Sequence, residues 1–210
     1  MRILIADDHS LIRDGLRTLL LESFPDAVVD VVGDSAELLQ KAIREKWDII
    51  ISDINMPGAS GIESLQQLKK NVPDIPVLML SMHSPEQYAV RAIKAGASGY
   101  LTKETASYEL VNAVQQILKG NKYITNKVAE VLAGSLDLRQ TGLPHEQLSD
   151  REFEVLKMIV EGRSVSEMGE ILKLNVNTIS TYRARILDKM NVKANADLIK
   201  YAIKHQLFDV

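Results

Sequence analysis

The chain has no cysteine among its 210 residues, so disulfide bridges, thiolate metal sites and cysteine nucleophiles are all excluded, in keeping with a reducing compartment. Long hydrophobic runs are missing too: no stretch approaches the roughly 18 to 20 apolar residues that a transmembrane helix needs. Met1-Arg2 leads straight into a strand-like run instead of the charged and apolar regions of a secretory signal. A cytoplasmic protein with no membrane partner is therefore expected. Nor is there a strong charge of one sign, because 25 basic and 28 acidic residues give a formal net charge of −3. That balance neither advertises nor excludes a nucleic-acid partner. What the chain does have is 46% hydrophobic content, enough to bury the cores of two small domains.

Short apolar runs alternate with longer amphipathic stretches over the first 120 or so residues, which is the pattern of an α/β domain. "RILIAD" (Arg2 to Asp7), "AVVDVVG" (Ala27 to Gly33), "DIIISD" (Asp48 to Asp53), "PVLMLSM" (Pro76 to Met82) and "GYLTK" (Gly99 to Lys103) read as strands. They are rich in Ile, Val and Leu with little alternation, as expected of a parallel sheet covered on both faces. "LIRDGLRTLLLES", "SAELLQKAIREK", "GIESLQQLKKNV", "PEQYAVRAIKAG" and "ASYELVNAVQQILKG" carry apolar residues at helical spacing, completing five βα units.

In an open parallel sheet the loops at the carboxyl ends of the strands converge on one crevice. Reading the polar residues by strand end places Asp7 and Asp8 after the first strand, Asp53 after the third, Ser81 after the fourth and Lys103 after the fifth. Taken singly, each has an ordinary structural reading, and Asp8 or Ser10 could cap the following helix. Taken together they are three carboxylates, a hydroxyl and an ammonium gathered at one edge. Clustered carboxylates repel unless a cation sits among them, and oxygen donors suit Mg²⁺. With that charge screened, one aspartate can attack a phosphoryl group to form an aspartyl phosphate, while Lys103 and Ser81 bind the transferred oxygens. The acceptor would be Asp53. His9 and His83 flank the site, but the oxygen preference of Mg²⁺ argues against either as a ligand. The "MPGASG" turn after the acceptor would expose Asp53 to a phosphodonor.

The motifs "DDH", "SDINMPGASGIE", "LMLSMH" and "AGASGYLTKE", with their spacing, resemble the receiver domain of two-component response regulators over residues 1–122. The resemblance implies a five-stranded parallel, flavodoxin-like sheet in the order 2-1-3-4-5. It also implies that Asp53 is the phosphoacceptor, that Asp8 and Asp53 ligate Mg²⁺ directly with the Asn55 backbone carbonyl, and that Asp7 holds the ion through water. Ser81 would be the hydroxyl switch, Lys103 the phosphate-binding lysine, and Tyr100 the aromatic whose burial reports phosphorylation. An ordinary strand-face aromatic is the alternative reading of Tyr100. Two positions depart from the common pattern: Ser81 stands where threonine is frequent, and Glu104 where many receivers carry a proline, often in cis. The second departure leaves the backbone after Lys103 open.

Residues 123–147 read as a linker containing a short helical stretch, "KVAEVLAGSL", followed by the polar "DLRQTGLPHEQ". From residue 148 to 210 the strands vanish and four helices fit the pattern, giving an all-α second domain. Ser149 with Glu152, and Ser164 with Glu167, fit capping boxes, and Gly162 is placed to end the first of these helices. The stretch "SVSEMGEILKLNVNTISTYRARILDKM" has the shape of a helix-turn-helix. Between Lys173 and Lys193 five basic residues face one acid, Asp188, a local balance of +4 suited to phosphates. This segment resembles the LuxR-type helix-turn-helix, so the whole chain is similar to a NarL/FixJ-type response regulator. Family recognition helices commonly carry lysine and histidine where this one has Ser180 and Tyr182, which leaves the base readers open. Asn177, Thr178, Ser180, Thr181, Arg183, Arg185 and Lys189 are the candidate DNA contacts, whereas Ile179, Ile186, Val155, Leu156 and Ile159 are expected in the core.

The function the resemblance implies is a phosphorylation-controlled, non-enzymatic transcription factor. Its partners would be a sensor histidine kinase and double-stranded DNA, and it would form a homodimer when phosphorylated. Two rivals are a helix-turn-helix protein whose receiver serves only dimerisation, and an Mg²⁺-dependent phosphatase similar to the haloacid dehalogenases. The second would need an aspartate where Asn55 stands.

Overall fold

In the computed structural model, residues 1–56, 60–82, 85–137, 143–205 and 207–208 are described, with only the backbone of 85–87 and 134–137. His83, residues 57–59 of the turn after Asp53 and residues 138–142 of the expected linker lie outside the described residues. The chain forms two compact units, Met1–Gly134 and Ser135–Val210.

Five parallel strands build the first unit: β1 (Arg2–Ala6), β2 (Val28–Val32), β3 (Ile49–Asp53), β4 (Val77–Ser81) and β5 (Gly99–Thr102), in the order β2-β1-β3-β4-β5. This is the strand order that the resemblance implies. The run of β-branched residues Ile49 to Ile51 suits a central strand, and every residue of β3 and β4 is buried, as a sheet covered on both faces requires. Edge strand β2 instead exposes Val28 and carries Asp30.

Helices α1 (Ser10–Ser23), α2 (Ser35–Arg44), α3 (Gly61–Asn71), α4 (Pro85–Lys94) and α5 (Lys103–Leu118) connect and follow the strands. On one face Ile3, Ile5, Ile51, Leu78 and Leu80 pack with Leu16 and Leu20 of α1 and Leu110 and Val114 of α5. Strand alternation turns Leu4, Ile50, Met79 and Tyr100 to the other face. The helix starts are specified locally: the Asp34 carboxylate accepts from the Ala36 and Glu37 amides, and Ser60 with Glu63 forms a capping box on α3.

At the end of β5 the chain departs from the expected layout. Strand pairing stops at Thr102, and Lys103, read as the last strand residue, is the first residue of α5. The Thr102 hydroxyl accepts from the Thr105 amide at 3.2 Å, and the Thr105 hydroxyl donates back to the Thr102 carbonyl at 3.1 Å. A proline at position 104 would push Lys103 toward extended backbone; Glu104 lets it enter the helix directly.

A further helix, α6 (Asn126–Asp137), spans the boundary between the units, with Val128 buried. The second unit continues through a 3-10 turn, Pro144–Gln147, into α7 (Asp150–Val160), α8 (Val165–Leu172), α9 (Val176–Lys189) and α10 (Asn195–Lys204). Both expected capping boxes are formed, and Gly162 takes φ +77° after α7. Between α8 and α9 the Leu174 amide donates to the Gly169 carbonyl at 2.8 Å. A Cβ on Gly169 would stand 2.8 Å from the Leu174 carbonyl oxygen, so the turn closes only over a glycine. Val155, Leu156, Ile159, Ile179 and Ile186 are all buried, with Phe153 and Phe208 packing at 5.2 Å between ring centroids. Among the described residues, no helix is long and apolar enough to cross a membrane.

Candidate functional site

Sheet register brings the strand ends level. Ala6 pairs with Ser52, Asp53 with Leu80 and Ser81 with Thr102, so Asp7, Asp53, Ser81 and Lys103 all stand at the same edge of the sheet. Asp7, Asp53 and Ser81 are buried there. The Lys103 ammonium reaches back over the edge and lies 2.6 Å from Asp7 Oδ2 and 2.8 Å from Asp53 Oδ2.

Each buried aspartate is fixed by its own loop. Asp7 Oδ1 accepts from the His9 amide at 2.9 Å, and Asp53 Oδ1 accepts from the Asn55 amide at 3.2 Å. Both are local bonds from a side chain to the backbone two residues on, which fold the chain around the carboxylate. The Arg13 guanidinium, one turn into α1, donates to the Asp7 main-chain carbonyl and ties the helix to the strand end. Past the "MPGASG" turn, a Cβ on Gly61 would come within 2.4 Å of the Ile54 backbone, so the chain next to Asp53 sits tight against the start of α3.

The capping role considered for Asp8 and Ser10 is not taken up: His9 is the N-cap of α1 and makes no side-chain cap. Asp8 instead turns its carboxylate to the His9 imidazole, with Nδ1 2.7 Å from Asp8 Oδ1 and 3.2 Å from Asp7 Oδ1. Potential ligand atoms of Asp7, Asp8, His9 and Asp53 lie within 4.8 Å of one another.

Burial pushes the Asp53 carboxyl up to about 6, and the Asp7 charge adds to this, although the Lys103 ammonium and the Asn55 amide pull the other way. Burial alone would discharge Lys103, but its bonds to Asp53 and Asp7 outweigh that and hold it above the usual lysine value. Three carboxylates against one ammonium leave the pocket negative, and its hard oxygen donors suit a small divalent cation. The donor set therefore fits Mg²⁺. A buried carboxylate with an adjacent ammonium and hydroxyl is also equipped to accept a phosphoryl group.

Tyr100 is buried in the middle of β5, opposite Met79, on the face away from α1 and α5. Sequence reading passed over Arg13 and set His9 aside as a ligand.

A second surface lies on α9. Asn177, Ser180, Thr181, Arg183 and Arg185 are exposed and Thr178 is half-buried. Asn177, Thr178, Thr181, Tyr182 and Arg185 line an open cleft of about 270 Å³. Lys189 stands apart from them, its ammonium 2.6 Å from Glu152 of the α7 capping box and 3.3 Å from the Gln147 carbonyl. Sequence placed it among the DNA contacts; in the structure it is bound to the neighbouring helix.

Comparison with known proteins covers both units. Residues 3–115 match the family described as response regulator receiver domain, and residues 146–202 match the bacterial regulatory proteins of the luxR family. The chain is 33% identical over 216 residues to the oxygen regulatory protein NreC of Staphylococcus carnosus, covering 100% of each. It is 31% identical over 208 residues to the response regulator UvrY of Escherichia coli, covering 99% of this chain and 95% of that one. Among solved structures, the RcsB–DNA complex of a two-component response regulator superposes with a TM-score of 0.60 at 27% identity, covering 96% of each chain.

Proposed function

The chain belongs to the NarL/FixJ family of two-component response regulators, and from that premise we propose that it binds DNA under the control of phosphorylation at Asp53. The observation that carries this reading is the Lys103 ammonium held between two buried carboxylates at a strand edge, 2.6 and 2.8 Å from them. A carboxylate oxygen of Asp53 attacks the phosphorus of a phosphohistidine on a sensor kinase. The O–P bond forms as the P–N bond breaks, and the departing imidazole keeps the electron pair and takes a proton from water. Lys103 then pairs with a phosphoryl oxygen, and the Ser81 hydroxyl donates to another. Asp8, Asp53 and the Asn55 carbonyl would hold Mg²⁺ directly, and Asp7 would hold it through water. When bound, that ion neutralises charge on the carboxylates and on the transferred group.

Withdrawing Lys103 and Ser81 toward a new dianion biases the ends of β4 and β5, and Tyr100 behind them is the residue whose packing follows. The phosphorylated form dimerises and places two copies of α9 on paired half-sites. Its working place is the cytoplasm, where DNA and phosphodonor meet. Asp53 is modified once per molecule, so the protein is a regulator and not a phosphatase with turnover; Asn55 stands where the phosphatase reading needs a second acid. The test is labelling by radioactive acetyl phosphate with Mg²⁺ or with chelator. Retention of a pool of random-sequence duplexes is measured alongside, with and without beryllofluoride. Mg²⁺-dependent labelling lost in Asp53→Asn, with tighter retention in wild type alone, is expected. Labelling of Asp53→Asn at the wild-type level would overturn the assignment.

A further inference from the structure

The side chains of α9 are not equally free to meet DNA, and their hydrogen bonds sort them. Asn177, Thr181 and Arg185 recur every four residues and form one exposed stripe, flanked by Thr178 and Tyr182 in the cleft. Arg185 has no hydrogen bond or ion pair with any described residue, so its whole guanidinium fork is available. Arg183 lies off this stripe, toward the buried side marked by Ile179 and Ile186, and its Nε donates to Asn195 Oδ1 at 2.8 Å. Thr181 is different again. Its single hydroxyl proton is spent on the Asn177 carbonyl at 2.9 Å, as that of Ser180 is on the Val176 carbonyl at 3.0 Å. A phosphate oxygen only accepts hydrogen bonds, so a hydroxyl in this state offers it nothing; toward a base it offers a lone pair.

We infer that Arg185 is the residue of α9 that selects a guanine, with Thr181 beside it favouring a base that presents an amino group. Arg183 is a positioning residue that braces α10 and meets only phosphate. The inference rests on the DNA-binding reading above. A free, planar five-donor fork matches the O6 and N7 acceptors of guanine in the major groove, a pairing that no other base edge offers. The Thr181 lone pair complements the N6 amino group of adenine or the N4 of cytosine, and is repelled by the O4 of thymine and the O6 of guanine. Asp188, exposed one turn beyond Arg185 on the same side, repels phosphate and confines the reading face to the first three turns of the helix.

The experiment selects bound molecules from a pool of random-sequence duplexes, using beryllofluoride-activated full-length protein, and sequences them for wild type and four variants. Wild type enriches a motif with guanine at one position of each half-site. In Arg185→Ala that position loses a preference of about tenfold or more while the others persist. Arg185→Lys keeps the charge without the fork, so it loses the same preference and retains the salt dependence. Arg183→Ala returns the wild-type motif, binds all duplexes more weakly and lowers the slope of log affinity against log salt by about 0.9. Thr181→Val loses the preference for an amino-bearing base at the neighbouring position. If wild type enriches no motif, the DNA-binding reading itself falls and this inference with it. If wild type enriches a motif that both Arg185 variants return unchanged, or if Arg183→Ala alters base preferences, only the inference falls.

Discussion

Asp53 sits where an acid is uncomfortable, its carboxyl pushed up to about 6 from an ordinary 3.8 chiefly because it is buried. The folded chain therefore holds this proton more tightly than the unfolded one. Below the ordinary value both states are protonated and the group is neutral to stability. As pH rises from about 4 to 6 the unfolded state ionises first, and above 6 the folded state carries the full cost of a buried charge. In chelator at pH 8, Asp53→Asn is expected to be more stable than wild type by on the order of 1–3 kcal/mol, and to lose that advantage near pH 4. Thermal melts at the two pH values check this. A variant less stable than wild type at pH 8 would mean that the Lys103 pairing outweighs burial. The same balance explains why Asp7, Asp53 and Lys103 stand out in the bare sequence. Such groups are rarely buried without partners, so polar residues at the ends of apolar runs advertise one another. His9 and Arg13 do not advertise themselves, because their role is to bond the backbone and side chains of a neighbouring turn, and any exposed polar residue can do that.

Helix α9 shows the same contrast at the scale of an element. Its core face, Ile179 and Ile186, follows from spacing alone, and the capping boxes that start α7 and α8 are written in four-residue strings. The far end of α9 was not legible, because Lys189 is held by Glu152, 37 positions earlier, and no local pattern couples the two. Burial would raise the Glu152 carboxyl, but its bonds to Lys189 and to Ser149 hold it below the ordinary 4.5. A depressed acid stabilises the fold above its unfolded value, and the contribution disappears as pH falls through the folded one. Lys189→Ala is therefore expected to weaken the second unit by about 1–2 kcal/mol at pH 7, discounted for the partial exposure of the lysine. The difference should shrink as pH falls below the ordinary carboxylate value of 4.5. Chemical denaturation followed by helical circular dichroism measures it, and an unchanged midpoint at pH 7 would show the pair to be decorative. The junction of β5 and α5 also lies one residue earlier than the apolar pattern of the sequence suggests. Lys103 fits either element, and the Thr102 cap together with Glu104 in place of proline decides for the helix.

The whole molecule divides into two compact units, each with its own core and its own charged surface, acidic at the strand edge of the first and basic on α9 of the second. The average charge of −3 conceals this. Calorimetry of the full chain should resolve two transitions. Mg²⁺ is expected to stabilise only the first unit and a random-sequence duplex only the second, raising that unit's midpoint, each by about 2.7 kcal/mol of stability at a free concentration a hundred times its dissociation constant. A single transition that both ligands shift together would mean that the units unfold as one. The α/β class and the helix-turn-helix are legible at this scale because they rest on periodicities repeated many times. One further consequence follows from the missing loop between β5 and α5. The ammonium that pairs with Asp7 and Asp53 is carried on the first residue of a 16-residue rod, about 24 Å long at 1.5 Å per residue. No joint lies between them. Whatever turns the Lys103 backbone cranks the entire shaft, and its far end at Leu118 feeds, through Gly120 and Tyr123, into the chain that leads out of the receiver.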